Sequence, residues 1–344
     1  MSLVLRRKLQ IIAIITIFLL AFVVLVALAV GAPLDVAVII GLLAGIAIAV
    51  VEEFYVQGRA GAWMRQMPPM LAIPIYASAL CAIFLAVQHL AFFLTGRINE
   101  LSDAYARYPV TIPLSLVAAS LAILALRVVG FIGARNLFNL LIGRYMRPII
   151  ERKVLLFVDM KSSTATVEEF GPVRAKAYIG KFLFDISRPV TEHGGEIYLY
   201  TGDGLIGMWD WDTALAGNTI VAAVDAIHTT IARGRAEYER EFGRVPEFRI
   251  GVHGGDVVIS EQGDTKRAIG VYGDTINIAA RMEQTAKDIG VGCVFSAYVA
   301  DALPNGMSGF EPRGEVAVRG ISKPVSIWSY VGGNSRAAES PHSV

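Results

Sequence analysis

The chain has 344 residues, of which 54% are hydrophobic and only 18% charged, and its formal net charge is +1. Soluble domains carry about 25% charged residues, so part of this chain is built for surroundings other than water. The near-neutral balance gives no electrostatic footprint for a nucleic-acid partner, and the two cysteines, Cys81 and Cys293, have no partner at motif spacing, which argues against a disulfide framework or a zinc site.

The charge deficit lies before residue 134. Four apolar segments are predicted to cross a membrane, over 9–30, 34–51, 70–94 and 110–132. Each is close to the roughly 20 helical residues that a hydrocarbon core requires. Arg6, Arg7 and Lys8 precede the first, as in a signal peptide, but its apolar run is longer than a usual signal core and a second span follows at once. Basic residues set the orientation. Arg6, Arg7 and Lys8, then Arg59 and Arg65, then Arg135, Arg144, Arg147, Arg152 and Lys153 fall on one side. The opposite loop, 96–109, offsets Arg97 and Arg107 with Glu100 and Asp103. A multi-pass protein of the inner (plasma) membrane is expected, surrounded by lipid, with its N-terminus and its C-terminal domain both cytoplasmic.

Ionisable residues in the spans are few. His89 is read as packing or bonding to a neighbouring helix, with ligand binding as the sharper alternative. Arg127 is expected to snorkel or to pair with Glu52 or Glu53. The small residues of GLLAG at 41–45 permit close helix contact and are a weak sign of dimerisation.

Residues 134–152 form the joint. Leu137, Phe138, Leu140, Leu141 and Tyr145 have helical spacing, and Pro148 limits the helix. The segment is read as a dimerisation helix, against the plainer reading of a linker on the membrane surface.

The domain over 153–331 reads as a strand at 153–158, a polar turn at 160–166 and a helix at 172–192. A hairpin follows, 196–200 and 205–209, turning at Thr201-Gly202-Asp203-Gly204. A long helix over 213–242, strands at 248–253 and 268–271 and a helix after Gly273 come next. A small strand and helix at 292–303 and strands near 315–319 and 325–331 complete it. The tail, 332–344, is polar and is expected to be disordered. The order β, α, β, β, α, β is that of a ferredoxin-like core. The fold class expected is an all-α transmembrane bundle of four helices, residues 1–133, followed by an α+β ferredoxin-like domain.

Asp159 ends the first strand and Asp203 tips the hairpin, and adjacent strands bring the two together. Such hard oxygen ligands suit two divalent cations, Mg²⁺ or Mn²⁺, with the Met160 backbone carbonyl as a further ligand. Ser162, Ser163 and Thr164 stand at a helix start, where phosphate oxygens are received. No GxxxxGK[ST] loop is present. Asn277 and Arg281, four apart on a helix, share a face. The amide can orient a ribose, and the guanidinium can stabilise charge on a phosphoryl group. Asp274 is expected as that helix's N-cap.

FVDMKSSTATVEEFG, GGEIYLYTGDGLIGMW, FRIGVHGGDVV and VYGDTINIAARME, in this order, resemble the class III nucleotide cyclase family of adenylyl and guanylyl cyclases. The resemblance covers 137–331, including GRYMRP in the joint. It implies an obligate head-to-tail homodimer with active sites shared between chains. Asp159 and Asp203 of one chain would hold two metals, and Asn277 and Arg281 of the other would orient the ribose and stabilise the transition state. The 3′-hydroxyl of a nucleoside triphosphate would attack the α-phosphorus and expel pyrophosphate.

Two positions depart from the family pattern. Members that make cyclic AMP commonly have lysine where this chain has Leu199, and Asp or Thr where it has Gly270. The usual guanylyl-cyclase choices are absent too. Backbone groups, or Lys266, Arg267 or Tyr198, are the substitutes considered for base reading. Arg319 and Lys323 lie where the family often carries a phosphate contact. ATP is the substrate expected. GTP, and a silent cyclase-like membrane sensor, are the alternatives. A diguanylate cyclase would need a GG[DE]EF-type hairpin, and a channel more ionisable residues in its spans. The spans either sense an unidentified ligand, regulator or the lipid itself, or only anchor and dimerise.

Overall fold

The computed structural model describes residues 3–56, 61, 63–64, 67–132, 138–139, 142–265, 267–304, 308–317 and 324–332. The chain divides into two compact units, Met1–Phe138 and Asn139–Val344.

The first unit is helical. Helices α1 (Leu3–Val30), α2 (Leu34–Val50), α3 (Pro69–Leu94) and α4 (Leu101–Ile132) follow in order, with a π-helical continuation of α2 over Val51–Val56. Helix α4 begins nine residues before the predicted fourth segment, because Pro109 and Pro113 are accommodated inside it. Small residues of GLLAG have a specific use. A Cβ on Gly41 would lie 2.7 Å from Leu20 Cα, and one on Gly45 2.8 Å from Thr16 Cα. The motif therefore seats α1 on α2 within one chain, backbone against backbone, which accounts for it without invoking a dimer.

Polar groups of this unit bond between helices. His89 is held by its own helix, Nδ1 to the Leu85 carbonyl at 2.7 Å, and by α4, Nε2 to the Tyr105 hydroxyl at 3.1 Å. That is the interhelical bond expected of it. The Tyr76 hydroxyl donates to the Glu52 carboxylate. Arg97 pairs with Asp35 at 2.9 Å and Glu100 at 2.7 Å. Arg59, Arg65, Arg135 and the side chain of Arg127 lie outside the described residues.

The joint differs from expectation. Phe138 and Asn139 are helical, but residues 142–147 turn, with Gly143 at φ +67°. Tyr145 is buried in the second unit, where its carbonyl accepts the Glu261 N–H at 2.8 Å. It belongs to that unit's core. Leu137, Leu140 and Leu141 lie outside the described residues.

In the second unit β1 (Ile149–Met160) is central and α5 (Ser163–Phe170) and α6 (Pro172–Glu192) follow it. Then come β2 (Glu196–Tyr200), β3 (Leu205–Asp210), α7 (Trp211–Leu215), α8 (Thr219–Arg233) and α9 (Arg235–Phe242). Last are β4 (Phe248–Gln262), β5 (Ala268–Tyr272), α10 (Asp274–Asp288), β6 (Cys293–Ser296), α11 (Ala297–Ala300), β7 (Phe310–Val316) and β8 (Val325–Tyr330). One sheet has the order β2-β3-β1-β4-β6-β8-β7, with β5 paired to β4. Both neighbours of β1 are antiparallel to it.

Strand β1 is buried on both faces, as its unbroken apolar run predicts. Val154, Leu156, Val158 and Met160 face α6 and α8, in one core with Phe182, Ile186, Ile220, Val224 and Ile227. Leu155 points the other way, toward Val257, Ile259, Val271 and Ala279. Truncating a buried residue such as Phe182 to alanine costs about 3–5 kcal/mol.

Three predicted elements move. The helix expected over 213–242 is three helices, broken at Ala216-Gly217-Asn218, where Gly217 and Asn218 have φ +60°, and again at Gly234. The strand expected at 248–253 runs on to Gln262 because β5 pairs with its second half. The strand expected near 315–319 lies earlier, at Phe310–Val316, paired to β8. Residues 333–344 of the tail lie outside the described residues.

Among the described residues, three helical stretches are long and apolar enough to cross a membrane: Leu34–Val56, Met70–Leu94 and Trp211–Arg233. The last buries Ile220, Ala223, Val224, Ile227 and Ile231 in the second unit's core, so it is a core element there. The other two belong to the first unit.

Candidate active site

Strand pairing builds the site. Asp159 is the penultimate residue of β1, and β3 beside it leads back to the hairpin tip that carries Asp203. Gly204 makes their approach feasible. A Cβ there would sit 2.2 Å from the Val158 carbonyl oxygen and 3.1 Å from Asp159 Oδ1, so any side chain would wedge the hairpin off β1. The turn is closed by the Thr201 N–H donating to the Gly204 carbonyl at 2.9 Å.

The electrostatics show the convergence. Burial pushes the Asp159 carboxyl above its ordinary value and Asp203 pushes it further, while Arg249 and Lys287 pull it back. Arg249 is the direct cross-strand partner of Asp159 on β4. Its Nη1 lies 3.9 Å from Oε1 of Glu283, and both side chains are largely shielded. Burial and then Asp159 also raise the Glu283 carboxyl. The structure thus gathers Asp159, Asp203, Glu283, Arg249 and Lys287.

The chemistry of the two aspartates fits divalent cations. A carboxylate such as Asp159, whose ionisation is opposed by burial and by a neighbouring carboxylate, is relieved by a hard cation. Among the described residues, no three His, Cys, Asp or Glu side chains assemble as a metal cage. Remaining ligands would come from backbone carbonyls, water and phosphate oxygens. The Met160 side chain is in the core, and only its backbone stands at the strand end beside Asp159.

Beyond β1, Ser162 takes a left-handed conformation, φ 59°, and its carbonyl accepts both the N–H and the hydroxyl of Thr166, each at 3.0 Å. This starts α5 at Ser163 and leaves Ser162 and Thr164 exposed at a helix N-terminus, whose first N–H groups have no intrahelical partner.

Asn277 and Arg281 lie on the exposed side of α10, while Ile278, Ala279 and Met282 bury its other side. The structure does not bring these two polar residues into contact with the aspartates of the same chain. Asp274 is the first residue of the helix rather than its cap, which is Gly273. Its charge still suits the helix N-terminus.

Leu199 is half exposed on β2, and Gly270 is buried on β5. The adjoining residues tie these strands together, the Val271 N–H donating to the Tyr198 hydroxyl at 3.0 Å. Tyr198 is therefore occupied structurally. A Cβ on Gly270 would lie 2.8 Å from Gln262 Cδ, so that carboxamide fills the space of the missing side chain. Arg267 pairs with Glu261 at 3.1 Å. Lys266, Arg319 and Lys323 lie outside the described residues.

Sequence reasoning missed Arg249 and Glu283. Arg249 is visible only through strand register, and Glu283 only through the seat of α10 on β4. Gly251 sets that seat, since a Cβ there would lie 2.1 Å from the Glu283 amide nitrogen.

Known proteins resemble this one in the same region. Over 221 residues the chain is 32% identical to Adenylate cyclase 2 of Rhizobium meliloti (strain 1021), covering 64% of this chain and 61% of that protein. Over 245 residues it is 27% identical to Adenylate cyclase 1 of the same organism, covering 70% of this chain and 34% of that one. The chain thus spans less than two thirds of the length of either relative. In fold it matches a bacterial light-regulated adenylyl cyclase, with a TM-score of 0.55 at 18% identity over 63% of this chain and 64% of that one. The family described as the Adenylate and Guanylate cyclase catalytic domain matches residues 150–331. That range is more than half of the chain and holds the whole carboxylate cluster, so this chain belongs to the adenylate and guanylate cyclase catalytic-domain family.

Proposed function

We propose that the protein is a membrane-anchored adenylate cyclase that converts ATP to 3′,5′-cyclic AMP and pyrophosphate. The observation that carries the reading is the convergence of Asp159 and Asp203 at the ends of paired strands, facing Arg249. Cations held there would neutralise phosphate charge and favour ionisation of the attacking hydroxyl. Arg249 would meet the triphosphate, and the first turn of α5 would receive its oxygens. Exposure of Asn277 and Arg281, apart from the aspartates of their own chain, supports a head-to-tail homodimer in which they serve the partner's site. There Asn277 would orient the ribose and Arg281 would stabilise charge developing on the transferring phosphoryl group. Leu199 and Gly270 would border the base, with Arg319 and Lys323 toward the phosphates.

ATP is preferred because the relatives matched over most of the domain are named adenylate cyclases. The antiparallel segment β2-β3-β1-β4 supports the ferredoxin-like reading of the core. The apolar helices Leu34–Val56 and Met70–Leu94 support a multi-pass anchor, read as four spans over 1–133 with both ends cytoplasmic and 134–152 joining them to the catalytic domain.

The test is incubation of the full-length protein with ATP and with GTP, separately, with Mg²⁺ and with Mn²⁺, identifying the product by mass. Cyclic AMP is expected. Cyclic GMP as the only product would reassign the substrate, and no cyclic product from a folded dimer would overturn the enzymatic reading.

A further inference from the structure

Glu283 follows Arg281 by two residues on α10 yet faces the opposite way. Arg281 is exposed, whereas the Glu283 side chain is only 15% exposed. Its surroundings are fixed from two directions. Its backbone rests on β4 at Gly251, closer than any Cβ would allow. Its carboxylate approaches Arg249, two residues earlier on the same strand, at 3.9 Å. Arg249 in turn lies directly across from Asp159 in the β1–β4 register. Strand register and the Arg249–Glu283 pair therefore link Asp159 to the turn of α10 that carries Arg281, with Asn277 one turn before.

From this geometry we infer that Glu283 is a positioning residue serving two active sites at once: it aims Arg249 at the Asp159–Asp203 pair of its own chain, and it holds the stretch of α10 that presents Asn277 and Arg281 to the partner's site. The inference rests on the cross-chain arrangement proposed above. A charge pair with both side chains largely shielded is coupled more strongly than an exposed one. Arg249 stands between two acids, across the strand pair from Asp159 and 3.9 Å from Glu283. The close backbone approach at Gly251 seats the same residue of α10 whose carboxylate meets Arg249.

Heterodimers separate the two roles. Full-length chains carrying Asp159→Ala and chains carrying Arg281→Ala are co-expressed with different affinity tags, and the mixed dimer is purified. Its one complete site takes Asp159 and Asp203 from the second chain, and Asn277 and Arg281 from the first. Glu283→Gln is then added to one chain at a time. In the Arg281→Ala chain it lies beside the working carboxylates, and KM for the nucleotide is expected to rise about tenfold with kcat nearly unchanged. In the Asp159→Ala chain it lies beneath the working Asn277 and Arg281, and kcat is expected to fall about tenfold with KM nearly unchanged. Glu283→Asp is expected to restore part of each loss.

An effect in only one placement overturns the double role. Equal losses of kcat in both placements, with a lowered melting temperature, reduce Glu283 to a structural ion pair and also overturn it. Inactivity of the parent mixed dimer, before Glu283 is touched, overturns the cross-chain reading itself and this inference with it.

Discussion

Helices α2 and α8 make an instructive pair. Both lie in stretches that are long and apolar enough to cross a membrane, yet their fates are opposite. Helix α8 buries Ile220, Val224 and Ile227 against its own sheet, and even its polar residues turn partly inward: His228 stacks on Phe248 and Asp225 accepts from the Tyr330 hydroxyl. Helix α2 turns Gly41 and Gly45 to α1 and leaves Val38, Leu42 and Ile46 exposed. Mean apolarity does not separate the two helices; what each one turns to its neighbours does. In α2, Gly41 and Gly45 meet the neighbouring helix while several large apolar side chains stay exposed. In α8 the large apolar residues are the buried ones.

The same contrast sets where substitutions hurt. The largest effect is expected at the carboxylates. Asp159→Ala or Asp203→Ala should lower turnover by about a thousandfold or more, while circular dichroism and the melting transition stay close to wild type. Retained activity in either variant would remove the assignment of these residues as metal ligands. Next comes the helix comparison. Ile227→Ala, in α8, should cost about 2–5 kcal/mol in chemical unfolding. Ile46→Ala, on the outward side of α2, should leave detergent-solubilised stability within about 0.5 kcal/mol. Equal costs would mean that α2 buries that face after all.

A third effect is pH dependence. His253 is buried, its Nδ1 is 2.7 Å from the Ser296 hydroxyl, and burial pushes its imidazole down from 6.5 to about 4. Between those values the unfolded chain binds a proton that the folded chain refuses. Stability is therefore fully present above pH 6.5 and is lost as pH falls toward 4, by roughly 3 kcal/mol at the limit. Melting of the second unit followed from pH 7 to 4 should show this decline, and His253→Gln should flatten it. An unchanged slope in that variant would assign the acid sensitivity elsewhere.

Much of the catalytic unit was legible because its signals are local. Helix Pro172–Glu192 and strand Glu196–Tyr200 fall where apolar spacing and the Gly-Gly break put them. Asp159 and Asp203 could be paired because a strand and a hairpin tip leave few alternatives. What failed depended on contacts distant in sequence. The break at Gly217 and Asn218 interrupts a helical pattern that continues on both sides. Tyr145 has helical spacing with Phe138 and Leu141, but the second unit's core claims it. Arg249 and Glu283 carry no motif of their own; register and the Gly251 contact make them neighbours. The GLLAG motif was seen, but sequence could not tell a partner chain from α1.

The smallest effect is also a test of what the aspartates are for. Burial and Asp203 hold the Asp159 carboxyl above its ordinary value. With a raised folded-state value, the acid is penalised once it ionises. Metal-free stability therefore falls as pH rises from the ordinary value of 3.8 through the raised one, and the full penalty is present at neutral pH. Asp159→Asn keeps the shape and removes the charge, so it should raise the melting temperature of the metal-free protein at pH 7. Adding Mn²⁺ should raise the melting temperature of the wild type, which then regains what the charge cost, and should leave Asp159→Asn unmoved. If the asparagine variant is less stable than wild type without metal, attraction to Arg249 outweighs the repulsion from Asp203. The site would then be balanced for a structural ion pair instead of being held ready for cations.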